Sequence, residues 1–318
     1  MGRPTSARAS YGLGTGNRAP RQHKSMPRAG LKQLARWRGA IGRAIKVPAT
    51  ESWRAWPEPP AAINPPVHLD KHVVCINKPP GVLSQPDITG EPCATRLTTD
   101  WLGSKATCVH RLDKWASGCL LLSRSPKAAT RLSAAFQQHR VTKHYLVIVR
   151  VLRNMVPPQH GSTGNIERHM SLGKSGHVRV DAPTNVHVKS RDAQLRWTAL
   201  ASERGDDGGG RHALLSVSLR GGFKHQIRAL LGAEGMPLLG DTLYGGEPCA
   251  SHESLIALHA ATLQLAHPVR GHDPLYLRAP LPAAWKEHAL PNDMVAAAQR
   301  ALDLPIGEGP LWAEVRDT

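Results

Sequence analysis

The sequence predicts an α+β fold built on a largely antiparallel or mixed central sheet with flanking helices. Three observations carry that prediction. Short apolar or β-branched runs outnumber helical ones. They do not alternate strictly with helices, which argues against a doubly wound parallel sheet. Between 178 and 219 they follow one another with polar and turn residues between them, as in a meander.

Taken in order, Val73-Val74-Cys75-Ile76 is a short buried strand stopped by Pro79-Pro80-Gly81. Residues 93–102 suit a helix, and Cys119–Ser123 is an apolar strand. Pro126–Gln138 has proline at its start and Ala and Leu at helical spacing. Val141–Val151 alternates and is β-branched, hence a strand. Arg153–Gly176 is polar and punctuated by glycine, and it reads as an excursion rather than core. Val178–Val180, Val186–Val188, Leu195–Leu200 and His212–Leu219 are strands, with a flexible turn at Asp206–Gly210. Lys224–Gly235 is a short helix, Leu255–Leu265 and Leu275–Leu277 are strands, and Ala283 onward is helical.

The chain carries 41 Lys and Arg against 24 Asp and Glu, a formal charge of +17, so a polyanion is the expected partner. The charge is uneven: residues 1–50 hold 11 of the basic residues and none of the acidic ones. That segment also repeats Leu31, Leu34, Trp37, Ile41 and Ile45 at helical spacing. It reads as an organellar presequence, mitochondrial before plastid, in preference to a basic arm that grips RNA phosphates. A Pro-rich linker, 51–66, follows; the folded domain is expected over 67–290, with a C-terminal extension over 291–318. No apolar run approaches the roughly 20 residues of a membrane span, so no membrane partner is expected. Five cysteines without C-x-x-C, and histidines without zinc-type spacing, predict neither a disulfide framework nor a metal site.

The most informative stretch is His110-Arg111-Leu112-Asp113-Lys114-Trp115-Ala116-Ser117-Gly118, a polar loop that sets a carboxylate between two cations ahead of a buried strand. Further motifs follow in a fixed order around it. They are Asn77-Lys78-Pro79-Pro80-Gly81, Lys143-His144-Tyr145, His225-Gln226-Ile227-Arg228, Pro237-Leu238-Leu239-Gly240-Asp241 with Tyr244-Gly245, and Leu258-His259-Ala260 with His267-Pro268. Together they resemble the signature of RluA-type RNA pseudouridine synthases, in family order, over residues 67 to 280.

The resemblance implies a pseudouridine synthase-like fold and isomerisation of uridine to pseudouridine in RNA without a cofactor. It makes Asp113 the catalytic carboxylate, Arg228 its partner and Tyr145 the ring that stacks on the flipped base. Arg111 either fills the gap left by the extruded nucleotide or contacts phosphate. Ile227 is expected to wall the uracil, and Lys78, Lys143 and Lys224 to meet the substrate. Asp241 and Tyr244 are expected to shape a loop, His110 to orient the catalytic loop, and His259 to satisfy a strand-end hydrogen bond. Structured RNA is the implied partner, ribosomal RNA before tRNA or mRNA, with ribosomal assembly intermediates as further partners. The sequence assigns no oligomeric state. Two departures from the pattern, Ala116 in place of threonine and Phe223 ahead of Lys224, support the alternative of a weakly active or inactive RNA-binding assembly factor.

Overall fold

The structure, a computed structural model, describes residues 66–312 apart from 153–154, 174–176, 182–188, 204–210, 250–254 and 288–289. The presequence, all but the end of the linker, the strand expected at 186–188 and the turn expected at 206–210 lie outside these described residues.

Among the described residues eleven strands form one sheet. They are β1 (Pro66–Leu69), β2 (Val73–Lys78), β3 (Thr107–Cys108), β4 (Ser117–Ser123), β5 (Thr142–Val151) and β6 (Thr163–Leu172). After them come β7 (Val178–Val180), β8 (Ser190–Ser202), β9 (Arg211–Arg220), β10 (Leu258–Leu265) and β11 (Leu275–Arg278). The spatial order is β1-β2-β4-β10-β5-β9-β8-β6-β7, with β11 on β10 and β3 on β4. Only β4 and β10 run parallel; every other pair is antiparallel. The helices are α1 (Ala94–Leu102), α2 (Pro126–Gln137), α3 (Gln226–Ala233), α4 (Ala284–Glu287) and α5 (Asn292–Asp303). The expected α+β architecture with a mixed, largely antiparallel sheet is what forms.

The two-residue period of the strands divides the core between the two faces. Val74, Ile76, Leu120, Leu122, Val147 and Val149 point to one face and pack with α1 and α3. Their neighbours point to the other. Val73, Cys75, Cys119 and Leu121 meet Leu132 of α2, while Leu146, Ile148 and Ala261 meet Trp285 and α5. Strand β4 is buried along its whole length, which is why it reads as an unbroken apolar run. Helix α2 starts where proline predicts it, with the Ser125 hydroxyl accepting from the Ala128 amide at 3.3 Å.

Three expectations need correction. Within 153–176, β6 is not an excursion: it pairs with β8 from Thr163↔Thr198 to Ser171↔Ser190 and buries Ile166 and Met170 in the main core. The alternation was masked because Arg168 lies between them on the same strand face. Its guanidinium instead reaches Asp181 at 3.2 Å and Glu234 at 2.6 Å. Residues 291–312 belong to the folded body, since α5 packs on the sheet and the Thr262 hydroxyl donates to the Leu311 carbonyl at 2.9 Å. The helical stretch expected from Ala283 is two helices, because Pro291 precedes the second.

The β4–β10 junction places the site. Gly118 sits at φ +109° opposite Ala260, and a Cβ there would lie 2.2 Å from the Ala260 carbonyl oxygen. Gly118→Ala must therefore push two central strands apart, and we expect a loss of about 3 kcal/mol or more in chemical denaturation. One residue away, His259 is fully buried between Ser117 Oγ at 2.9 Å and the Ala279 carbonyl at 3.2 Å. This is the strand-end bond expected of it.

Burial pushes the His259 imidazole down to about 4, against a smaller upward pull from the Ala279 carbonyl. Its folded value thus lies below the unfolded one, so the unfolded chain binds the extra proton between them. Stability is full above about 6.5 and falls as the pH drops to about 4, by about 3 kcal/mol from this residue. Urea titrations across that window should show the slope, and in His259→Gln the slope should shrink by about one proton. An unchanged slope would remove His259 from the account.

Candidate active site

The loop between β3 and β4 is held rigid on both sides of Asp113. On one side Ser84 Oγ clasps the backbone of Leu112, accepting from its amide at 2.9 Å and donating to its carbonyl at 2.8 Å. On the other, Lys78 Nζ donates to the carbonyls of Pro79, Val82 and Lys114 at 2.8, 2.9 and 3.0 Å. The Gly81 amide adds a bond to the Lys114 carbonyl at 2.9 Å. The loop closes on itself where the Ala116 amide donates to the Asp113 carbonyl at 3.1 Å. His110 Nε2 accepts from the Leu121 amide at 2.9 Å and its ring stacks on Phe136, so it does orient the loop as expected. Between these anchors the Asp113 side chain keeps 20 % of its surface exposed. The backbone is fixed and the carboxylate is open.

Arg228, in the first turn of α3, comes to Asp113 from 115 positions along the chain, with Nη1 at 3.5 Å from Oδ2. Its strongest partner is different. Nε and Nη2 bind the Asp241 carboxylate bidentately at 2.6 and 2.8 Å, and Asp241 is only 1 % exposed. Burial works against the Arg228 charge, but the hydrogen bonds to Asp241 and the two carboxylates outweigh it and raise its proton affinity. The guanidinium also lies over the Tyr244 ring at 5.3 Å. Asp241 and Tyr244 were expected to shape a loop. They do so, and they also hold the arginine that faces the carboxylate.

Tyr145 stands on β5 between Ala260 of β10 and Val217 of β9. Burial, then the negative charge of Asp113, raise its hydroxyl above the ordinary tyrosine range, so it stays protonated beside the carboxylate. Ile227 is buried in the main core next to Arg228.

The lysines fare unevenly. Lys78 is fully buried and all three ammonium protons go to backbone carbonyls, so the expectation that it meets substrate is corrected: it is a structural tie. Burial pushes it down to about 7 while Asp113 pulls it up. Lys143 is half-buried and donates to the Gly221 carbonyl, pinning the turn before α3, and burial lowers it to about 8. Lys224 and Arg111 are exposed near the site. The two departures, Ala116 and Phe223, are both buried in the main core.

Two residues carried no assigned role in the sequence: Ser84, which clasps the loop, and His225. His225 precedes α3 in a left-handed conformation, φ 53°, with Nδ1 at 2.9 Å from the Tyr244 hydroxyl and Nε2 at 4.0 Å from Asp113 Oδ2. Burial lowers it to about 4; Asp113 opposes that, and Arg228 and Lys224 reinforce it. The imidazole is neutral at pH 7. Its only sequence signal was its place in the His225–Arg228 motif.

An open carboxylate, a guanidinium held by a second carboxylate, and a protonated phenol beside them offer an anion, hydrogen-bond donors and an aromatic ring to a neutral nucleoside. Known proteins resemble this chain in sequence. The family described as RNA pseudouridylate synthase matches residues 72–233. The tRNA pseudouridine synthase C of Pectobacterium carotovorum subsp. carotovorum is 31 % identical over 236 residues, covering 69 % of this chain and 60 % of that protein. The ribosomal large subunit pseudouridine synthase D of Xanthomonas campestris pv. campestris is 31 % identical over 258 residues, covering 74 % and 72 %. Among solved structures, human RNA Pseudouridylate Synthase Domain Containing 1 shares the fold, with a TM-score of 0.55 at 19 % identity, over 77 % of this chain and 98 % of that one.

Proposed function

Because this chain belongs to the RNA pseudouridylate synthase family of isomerases, we propose that it converts uridine to pseudouridine in RNA with Asp113 as the catalytic carboxylate. The observation that carries the reading is the contact of Asp113 Oδ2 with Arg228 Nη1 at 3.5 Å, within the electrostatic reach of Tyr145. The reaction breaks the N1–C1′ glycosidic bond, turns the uracil and joins C5 to C1′; the proton on C5 leaves and N1 gains one, so nothing is oxidised or reduced. An ionised carboxylate serves either as nucleophile at C1′ or as base at the ribose. Tyr145 offers a flat face on which the detached uracil can rotate, with its hydroxyl proton retained.

The finer reading is large-subunit ribosomal RNA of an organelle, mitochondrial before plastid. Its support is the acid-free basic segment 1–50 together with the naming of relatives for the ribosomal large subunit. The relatives named for tRNA make tRNA the second substrate class. Mapping pseudouridine in mitochondrial ribosomal RNA from cells with wild-type protein or with Asp113→Asn tests it. A uridine modified only with the wild type is the expected result; identical maps would reject the proposal.

A further inference from the structure

We propose that His225 is a positioning residue for Asp113: its imidazole, fixed as the Nε2–H tautomer by Tyr244, addresses the same carboxylate oxygen as Arg228 and leaves Oδ1 to the nucleoside. The inference rests on the proposed role of Asp113 and adds how that carboxylate is aimed. Arg228 Nη1 and His225 Nε2 both approach Oδ2, at 3.5 and 4.0 Å. Among the described residues no hydrogen bond is made to Oδ1.

The tautomer follows from electrostatics. If Nδ1 carried the proton, Nε2 would turn its lone pair toward the Asp113 carboxylate, and the Tyr244 hydroxyl would have to accept. The opposite assignment satisfies both ends. The Tyr244 hydroxyl, raised in proton affinity by burial, donates to Nδ1 at 2.9 Å, and Nε2–H faces the carboxylate. The rings meet edge to face at 5.7 Å and 86°, which keeps the imidazole from swinging away.

The backbone tells the same story. A non-glycine residue at φ 53° is uncommon, shared among the described residues with His139 and Asp181, and it persists where its surroundings hold it. Here the residue is the one that precedes α3 and so also sets the direction of Arg228 three residues on. Contacts of 3.5 and 4.0 Å are longer than finished hydrogen bonds; catalytic contacts of this kind tighten when substrate fills the site. A neutral donor suits the task. It orients the carboxylate without adding a second cation that would hold it away from the sugar.

The test has two readouts on the full chain. Long-range proton–nitrogen NMR, with the His225 signals assigned by their loss in His225→Gln, should show Nε2 protonated and Nδ1 bare at pH 7, and a mixture of tautomers in Tyr244→Phe. A protonated Nδ1, or an imidazolium, would overturn the proposal. The second readout is single-turnover conversion of a mitochondrial large-subunit ribosomal RNA transcript. His225→Asn keeps the left-handed backbone but is too short to carry its N–H to the Nε2 position, so the rate at saturating enzyme should fall about tenfold with RNA affinity unchanged. His225→Gln places an amide N–H near the position of Nε2 and should recover the rate to within about threefold. Equal loss in both variants, or loss that tracks thermal stability, would make His225 merely structural. If wild-type protein converts no uridine, the proposed function falls, while the tautomer result still decides the positioning.

Discussion

In Asp113→Asn, conversion of uridine under single-turnover conditions is expected to fall by about 10⁴-fold or more, while RNA affinity changes by no more than about threefold. The side chains are isosteric, and the loop is held through Ser84, Lys78 and Gly81, none of which touches the carboxylate. The variant therefore folds. What it loses is the negative charge, and with it any capacity to attack the sugar or take a proton. The amide will also turn its oxygen toward Arg228, as the guanidinium demands an acceptor, and so present its NH2 to the nucleoside. A residual rate above about one hundredth of wild type would show that another group carries the chemistry.

Asp241→Ala is expected to cost about 3–5 kcal/mol of stability and lower Tm by about 10 °C, and to weaken turnover as well. The reason lies in the Arg228 guanidinium. It is buried, two of its nitrogens bind Asp241, and removing that carboxylate leaves a charge without compensation in the core. Arg228 then has Asp113 as its nearest remaining anion and is drawn onto it, closing its fork over Oδ1 as well as Oδ2. The double variant Arg228→Met with Asp241→Leu separates the two effects. Apolar residues fill the buried volume, so most of the lost stability should return, whereas activity should not. If Asp241→Ala melts like the wild type, the pair does not hold the site as described.

The local pattern of the sequence was enough for most elements, because a strand or helix that buries one face must repeat its apolar residues at that element's period. Val141–Val151 and Pro126–Gln138 differ from β5 and α2 by a single residue at one end. Where that rule was disturbed, reading failed. Arg168 interrupts the apolar alternation of β6, and its compensation comes from Asp181 and Glu234, outside the strand itself. Pro291 divides a helical stretch whose composition alone looks continuous.

For the site the division is similar. Asp113, Tyr145 and Arg228 could be nominated because the motif order resembles that of a known family. The roles of Lys78, Asp241 and His225 could not. A buried lysine bound to three carbonyls and a lysine reaching phosphate have the same letter, and only burial separates them.

By itself, then, the amino-acid order determined the class of fold and most of its elements, since those depend on periodicity, and through its motifs it nominated the groups proposed to react. The tertiary structure decided how those groups are shared. Arg228 divides its donors between Asp241, 13 residues away, and Asp113, 115 away, and His225 spans Tyr244 and Asp113. Such pairings depend on sheet register and on which buried charge lies nearest, quantities that arise only when β4 and β10 meet and α3 is laid across their ends.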